Sequence, residues 1–100
     1  MLREFLDRVV ASVFAVDTTL LKLPTRGRRP IAEARQVAMY LAHVALGLSL
    51  TDVGQLFERD RTTVAHACKK IEDRRELPSF DTAIDLLERS IRMVQLTEAL

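Results

Sequence analysis

The chain predicts an all-α fold, a small bundle of about five to six helices with a helix-turn-helix inside it, and three observations carry that expectation. Glycine and proline number three each in 100 residues, too few to turn the chain of a many-stranded β fold. Apolar residues make up 48% of the sequence and recur at helical spacing over most of it. Residues 49–71 read as a short helix, a turn of about three residues and a longer helix. One core forms at this length and a second has no room, so residues 1–100 are expected to be a single domain.

Each element has its own signal. Leu2, Phe5, Leu6, Val9, Val10, Val13 and Phe14 share one stripe, which predicts an amphipathic helix over residues 2–16. Asp17 or Thr18 then caps a short turn through Leu21. Residues 22–30 hold two prolines, one glycine and four basic side chains, the mark of an exposed, strongly basic loop. Pro30 suits a first helical turn, after which Ile31, Ala34, Val37, Ala38, Leu41, Val44 and Ala45 keep helical spacing up to a stop at Gly47. This is expected to be the central buried helix. Ser49 with Asp52 forms a capping box, so a short helix starts near Leu50 and ends near Phe57 or Glu58. After Glu58, Arg59 and Asp60, a helix capped by Asp60 runs from Arg61 to about Arg75, with Val64, Ala67, Cys68 and Ile71 inward. Leu77, Pro78 and Ser79 end it, and a last helix over about 80–97 buries Ile84, Leu87, Ile91 and Val94, its final residues fraying.

Composition narrows the function. The formal net charge is only +1, but residues 22–75 hold eleven Lys/Arg against six Asp/Glu, whereas the flanks hold four against eight. A basic middle between acidic ends is what a phosphate-facing surface produces, and two ordinary solvated faces are the alternative. The lone Cys68 excludes an internal disulfide and a multi-cysteine zinc site, and reads as a small buried residue in a reducing compartment. Arg3, Glu4, Asp7 and Arg8 interrupt any signal peptide, and no apolar run has membrane length, so a soluble cytoplasmic protein without membrane partners is expected. His43 and His66 stand 23 residues apart with no ligand spacing around them, which predicts no metal site, and no cofactor motif is present. Ser49, Thr62 and Thr63 lack a neighbouring base, so no catalytic residue and no enzyme activity are expected. Tyr40 and the four phenylalanines read as core, not as a stacking platform for single strands.

The helix-turn-helix concentrates the remaining information. Gly54, ten residues before Val64, supplies the small residue needed where the two helices approach, and Val53, Phe57, Val64, Ala67 and Cys68 lock them together. Glu58 stands where such turns often carry glycine, so a left-handed backbone there would be strained. The second helix opens with Arg61, Thr62 and Thr63 and presents Ala65, His66, Lys69 and Lys70 outward. A recognition helix enters the major groove by its N-terminal end, which places Arg61 and Thr62 at base edges, Thr63 at base or phosphate, and Lys69 and Lys70 at the backbone. An ordinary helical hairpin with a charged outer face is the competing reading.

Three segments together resemble a known family: Ala34-Arg35-Gln36-Val37-Ala38-Met39-Tyr40-Leu41-Ala42, then Ser49-Leu50-Thr51-Asp52-Val53-Gly54, then Arg59-Asp60-Arg61-Thr62-Thr63-Val64-Ala65-His66-Ala67-Cys68-Lys69-Lys70-Ile71. They are similar to the C-terminal DNA-binding domain (domain IV) of the bacterial replication initiator DnaA. The resemblance implies a Trp-repressor-like helix-turn-helix that reads the DnaA box on double-stranded DNA, with a basic loop in the adjacent minor groove. It assigns Asp60, Arg61, Thr62 and Thr63 to base edges. Arg35, Gln36, Lys69 and Lys70 match its backbone-side contacts, Arg59 falls in the same signature, His66 reads as a packing or phosphate-side residue, and Arg26, Arg28 and Arg29 fall to the backbone or minor groove. The sequence departs from the family at Arg61, where His is usual, at Ala65, where Leu is common, and at Gly27, where the minor-groove Arg falls. Glu58 alone separates Phe57 from Arg59, one residue fewer than usual. No phosphate-cradling Gly-x-x-x-x-Gly-Lys-Ser/Thr segment occurs, so this chain is not expected to hydrolyse ATP or melt an origin by itself; it is either an excised fragment or a stand-alone relative, the second being the expectation. The resulting function is sequence-specific DNA binding by a monomer at the nucleoid, regulating replication initiation or transcription. The alternative is an interaction module of the same fold that binds the initiator, a protease or another replication factor.

Overall fold

Burial of the middle of one helix organises the molecule. In a computed structural model of the chain, residues 2–22 and 29–99 are described, and they contain six helices: α1 (Leu2–Phe14), α2 (Thr18–Leu21), α3 (Arg29–Val44), α4 (Leu50–Phe57), α5 (Arg61–Arg74) and α6 (Pro78–Ala99). The all-α expectation holds, with a helix-turn-helix formed by α4 and α5. In α3, residue 34 and every residue from 37 to 42 are buried apolar side chains, and all five other helices pack against it. Alanines at 34, 38 and 42 keep one line of this helix small, which lets neighbours approach closely. The core adds Leu6 and Val10 from α1, Leu21 from α2, Val53 and Phe57 from α4, Val64 and Ile71 from α5, and Ile84 and Ile91 from α6. No helix among the described residues is long and apolar enough to cross a membrane.

Local chemistry accounts for the boundaries. α1 stops two residues short of its expected end at residue 16, because Ala15 turns left-handed at φ 54° and the Val16 N–H returns to the Ala11 carbonyl at 3.1 Å. Of the two candidate caps for α2, Asp17 does the work: its Oδ1 accepts from the Thr19 N–H at 2.9 Å and from the Thr19 hydroxyl at 2.8 Å. Those bonds hold the Asp17 carboxyl below the ordinary aspartate range. Gly47, at φ 73°, ends the turn after α3, and His43 Nδ1 lies 2.6 Å from the Leu48 carbonyl oxygen, which ties that turn to the helix. Ser49 Oγ accepts from the Asp52 N–H at 3.0 Å and starts α4.

The last helix begins earlier than its pattern predicts. Pro78 is the first residue of α6, not part of a terminator, because a proline at the first helical position gives up only an N–H that the helix leaves unpaired. Residues 75–77 make the turn, and α6 continues through Ala99 where fraying was expected. Val94, expected inward, is 40% exposed, since residues 92–97 project past the core.

Candidate nucleic-acid interface

The site is built around a close approach between α4 and the turn that follows it. A Cβ placed on Gly54 would lie 2.7 Å from the Arg59 carbonyl oxygen and 3.5 Å from the Arg61 nitrogen, so any side chain there collides with main chain. The same proximity lets the Arg59 N–H donate to the Gly54 carbonyl at 2.8 Å. Val53, Phe57, Val64 and Ala67 are buried between the helices, and Cys68 sits half-buried beside them. Burial, and then the charge of Glu72, push the Cys68 thiol upward, which suits a packing residue. Glu58 closes α4 in the left-handed conformation at φ 55° and ψ 47°, the strained geometry foreseen for a non-glycine residue.

This turn delivers four consecutive exposed side chains. Asp60 occupies the N-cap position of α5, and its main-chain carbonyl accepts from the Val64 N–H at 3.1 Å. Its carboxylate, however, makes no capping bond, contrary to the expectation that it would cap the helix. The acid remains in solvent at the positive end of the helix dipole, where it is favoured without a hydrogen bond. Arg61, Thr62 and Thr63 follow in the first turn, all exposed. Together they offer a carboxylate acceptor, a planar set of guanidinium donors and two hydroxyls with methyl groups, the functional groups that base edges require.

Further along α5, His66 and Lys69 continue the outward stripe begun by Thr62, and Lys69 Nζ lies 3.8 Å from Asp73. Thr63, His66 and Lys70 turn toward α3, where they line an open groove of about 600 Å³ with Arg29, Gln36 and Arg59. Arg59 lies partly buried at its edge and donates to the Phe57 and Glu58 carbonyls at 3.3 and 3.2 Å. In the wall of this groove the Gln36 Oε1 is buried with no hydrogen-bond partner among the described residues. Arg29, at the start of α3, is exposed and 3.4 Å from Glu33. Arg26, Gly27 and Arg28 lie outside the described residues.

Arg35 also lines this groove, but its guanidinium is engaged from within. Only 5% exposed, it donates through Nε to the Leu21 carbonyl at 3.1 Å and through Nη2 to the Leu20 carbonyl at 3.2 Å. Burial, and then Arg59 and Arg3, lower its pKa, and the guanidinium still keeps its charge. Arg35 therefore fixes the end of α2 from within. Arg74 and Arg75, counted in the basic middle of the sequence, also turn inward. Arg74 sits 3.4 Å from Glu33 and 4.1 Å above the Phe80 ring, and Arg75 is bonded to α3 and α6. The exposed positive surface is thus narrower than the sequence count implies.

Sequence reading missed Arg3. It pairs with the buried Asp7 at 3.0 Å, donates to the Leu21 and Leu56 carbonyls at 3.1 and 3.3 Å, and lies 4.3 Å above the Phe57 ring. One guanidinium from α1 thereby braces the end of α4 that leads into the turn. The available signal was an Arg and an Asp four residues apart, with the Asp next to Leu6 and near Val10 on the apolar stripe.

Comparison with known proteins agrees with this geometry. Residues 4–71 match the family described as bacterial dnaA protein helix-turn-helix. The chromosomal replication initiator protein DnaA of Lachnoclostridium phytofermentans is 40% identical over 90 residues, which cover 88% of this chain and 20% of that protein. Its counterpart in Mesorhizobium japonicum is 48% identical over 71 residues, covering 70% of this chain and 14% of the relative. The chain thus spans a fifth or less of the length of these relatives. A solved structure of the replication initiator DnaA bound to AMPPCP and single-stranded DNA aligns at a TM-score of 0.75 with 28% identity, covering 91% of this chain and 28% of that one. A second, described as a DNA replication initiation factor, aligns at 0.76 with 29% identity over 91% of this chain and 29% of its own. With the sequence match, the fold and the helix-turn-helix in agreement, the chain belongs to the bacterial DnaA C-terminal helix-turn-helix family.

Proposed function

We propose that the chain binds double-stranded DNA by seating the first turn of α5 in the major groove of a DnaA-box-like site, and that this binding regulates replication initiation or transcription. The observation that carries the reading is the run Asp60, Arg61, Thr62 and Thr63: four consecutive exposed side chains at the start of the second helix of a DnaA-type helix-turn-helix. In this reading Arg61 takes guanine through two hydrogen bonds, Asp60 accepts from an exocyclic amine, and Thr62 and Thr63 supply hydroxyl and methyl contacts. Gln36, Arg59, His66, Lys69 and Lys70 follow the sugar-phosphate backbone beside the groove, joined by Arg29. Arg26 and Arg28 reach the backbone or minor groove. Arg35 contributes from inside, by holding the carbonyls of Leu20 and Leu21. In this reading residues 1–100 act as one domain and bind as a monomer, using no cofactor and no catalytic step.

A titration against a duplex carrying one consensus DnaA box and against a scrambled duplex, each at two salt concentrations, tests the proposal. Selective binding that weakens steeply with salt is expected, because phosphate contacts by Lys and Arg release condensed counterions. Arg61→Ala and Thr62→Ala should each remove discrimination worth about 1–3 kcal/mol. Equal, weak binding to both duplexes by the wild-type protein overturns the proposal and directs the search to a protein partner.

A further inference from the structure

We propose that Arg75 is a positioning residue for DNA reading: by clamping the far end of α5 to α3 and α6, it sets where the first turn of α5 stands. The inference rests on the DNA-reading role proposed above and adds the device that aims the helix.

Arg75 is the residue that ends α5, and its side chain is only 18% exposed. Its Nε donates to Asp81 Oδ1 at 2.6 Å, and its Nη1 donates to Glu88 Oε1 at 2.5 Å and to the Tyr40 hydroxyl oxygen at 3.0 Å. The Tyr40 hydroxyl in turn donates to Glu72 Oε2, back on α5, at 2.5 Å. One planar guanidinium thus joins three helices, and the Tyr40–Glu72 bond closes the loop. An ammonium cannot reproduce this, since it lacks the fixed fork that meets several acceptors in set directions. Arg75, Asp81 and Glu88 all lie beyond residues 4–71, the stretch that matches the family.

The lever follows from the dimensions of α5. Fourteen residues make a rod of roughly 20 Å at 1.5 Å per residue. Val64, Ala67 and Ile71 bury one side of it, but apolar packing is non-directional and leaves tilt less well defined than directed hydrogen bonds do. With that packing as a fulcrum near mid-helix, about 1 Å of movement at Arg75 appears as a similar, opposite movement at Arg61. A recognition constellation tolerates about 0.5 Å.

The test uses Arg75→Lys, which keeps the charge and loses the fork, with Glu88→Gln as a milder second variant and Arg89→Ala on the exposed face of α6 as a control. Two quantities are read on folded protein: the ratio of cognate to scrambled duplex affinity, and the backbone amide resonances of residues 61–64 without DNA. Arg75→Lys is expected to lower the ratio about tenfold, the worth of one good base contact, while changing scrambled-duplex affinity less than twofold. It is also expected to shift the four amides, and Glu88→Gln should do both to a smaller degree. Unchanged amides, or an unchanged ratio beside a discriminating wild type, overturn the clamp. A wild type that does not discriminate overturns the DNA-reading role instead, and the amide resonances alone then decide whether Arg75 positions the helix.

Discussion

Replacing Gly54 with alanine sets two opposed effects of known size against each other. Alanine is the better helix former by about 1 kcal/mol, so in an unencumbered α4 the change would stabilise the protein. Here the new methyl group meets the Arg59 carbonyl oxygen at 2.7 Å, whereas ordinary contact begins at 3.4 Å. That oxygen belongs to the main chain and has no rotamer to change. Relief requires the turn to retreat by more than half an ångström, stretching the 2.8 Å bond between the Arg59 N–H and the Gly54 carbonyl. Overpacking of this kind costs about 1–3 kcal/mol, so the net loss should be about 1 kcal/mol, or about 4–8 °C in Tm for a domain of this size. The functional loss should exceed the stability loss, because the turn that moves is the one carrying Asp60 and Arg61. Urea unfolding beside a cognate and scrambled duplex titration reads both, with a fall in discrimination of about tenfold expected. A Gly54→Ala protein that melts several degrees higher and binds unchanged would refute the reasoning, since the turn would then have room to yield.

Glu58→Gly should act in the opposite sense: relief of a left-handed non-glycine residue, less the extra chain entropy of glycine, leaves a gain of up to about 1 kcal/mol, read as a higher urea midpoint. A loss would mean that the Glu58 side chain holds the turn in a way its backbone geometry does not reveal. Burial, offset only in part by Arg3, raises the Asp7 carboxyl above its ordinary value of 3.8. The folded state therefore favours its protonated form, and the stability linked to that proton is fully present below 3.8 and lost as pH rises through the folded pKa. Asp7→Asn cannot ionise, so its stability relative to wild type should improve from pH 3.5 to pH 7 in paired urea titrations, roughly tracking that linkage; a constant difference removes the argument. Tyr40, the only tyrosine, in a chain without tryptophan, should titrate by ultraviolet absorbance near 12, because burial first and its bond to Glu72 second push the phenol up from 10.0. Its contribution to stability is present below 10.0 and disappears as pH rises through about 12, so the urea midpoint should fall across that interval. A phenol that ionises near 10.0 in folded protein would show that the network around Arg75 is open.

Much of the fold was legible because apolar periodicity and local caps agree along the chain. The stops at Gly47 and Glu58 and the cap at Ser49 depend on residues within a few positions of each other, and the structure sets them where the sequence placed them. Pro78 was misread because a proline between two helical patterns is equally compatible with ending one and starting the next, and the hydrogen bonding of residues 75–77 decides which. The exposed run from Asp60 to Thr63 was legible for the same local reason, since all four side chains are polar and open the second helix. Arg35 was not. It lies among apolar residues of α3, and its carbonyl partners are fourteen and fifteen residues away at the end of α2, a pairing that only tertiary structure creates. The inward turns of Arg3, Arg74 and Arg75 were hidden likewise, because charge counted along a sequence does not distinguish a side chain facing phosphate from one spent on a carbonyl or a carboxylate.

The missing capping bond at Asp60 has an evolutionary consequence. Where an N-cap side chain is needed to start a helix, changing it costs about 1 kcal/mol, and a reading residue at that position is tied to folding. Asp60 makes no such bond, and the fold buries none of Arg61, Thr62 and Thr63. Exposed substitutions of this kind usually change stability by less than about 0.5 kcal/mol, apart from the helix-dipole share that an acid at Asp60 retains. The backbone contact at Gly54 and the brace from Arg3 hold the platform without using the four side chains it displays. If these four side chains read DNA as proposed, target preference can drift one residue at a time on a scaffold that stays folded.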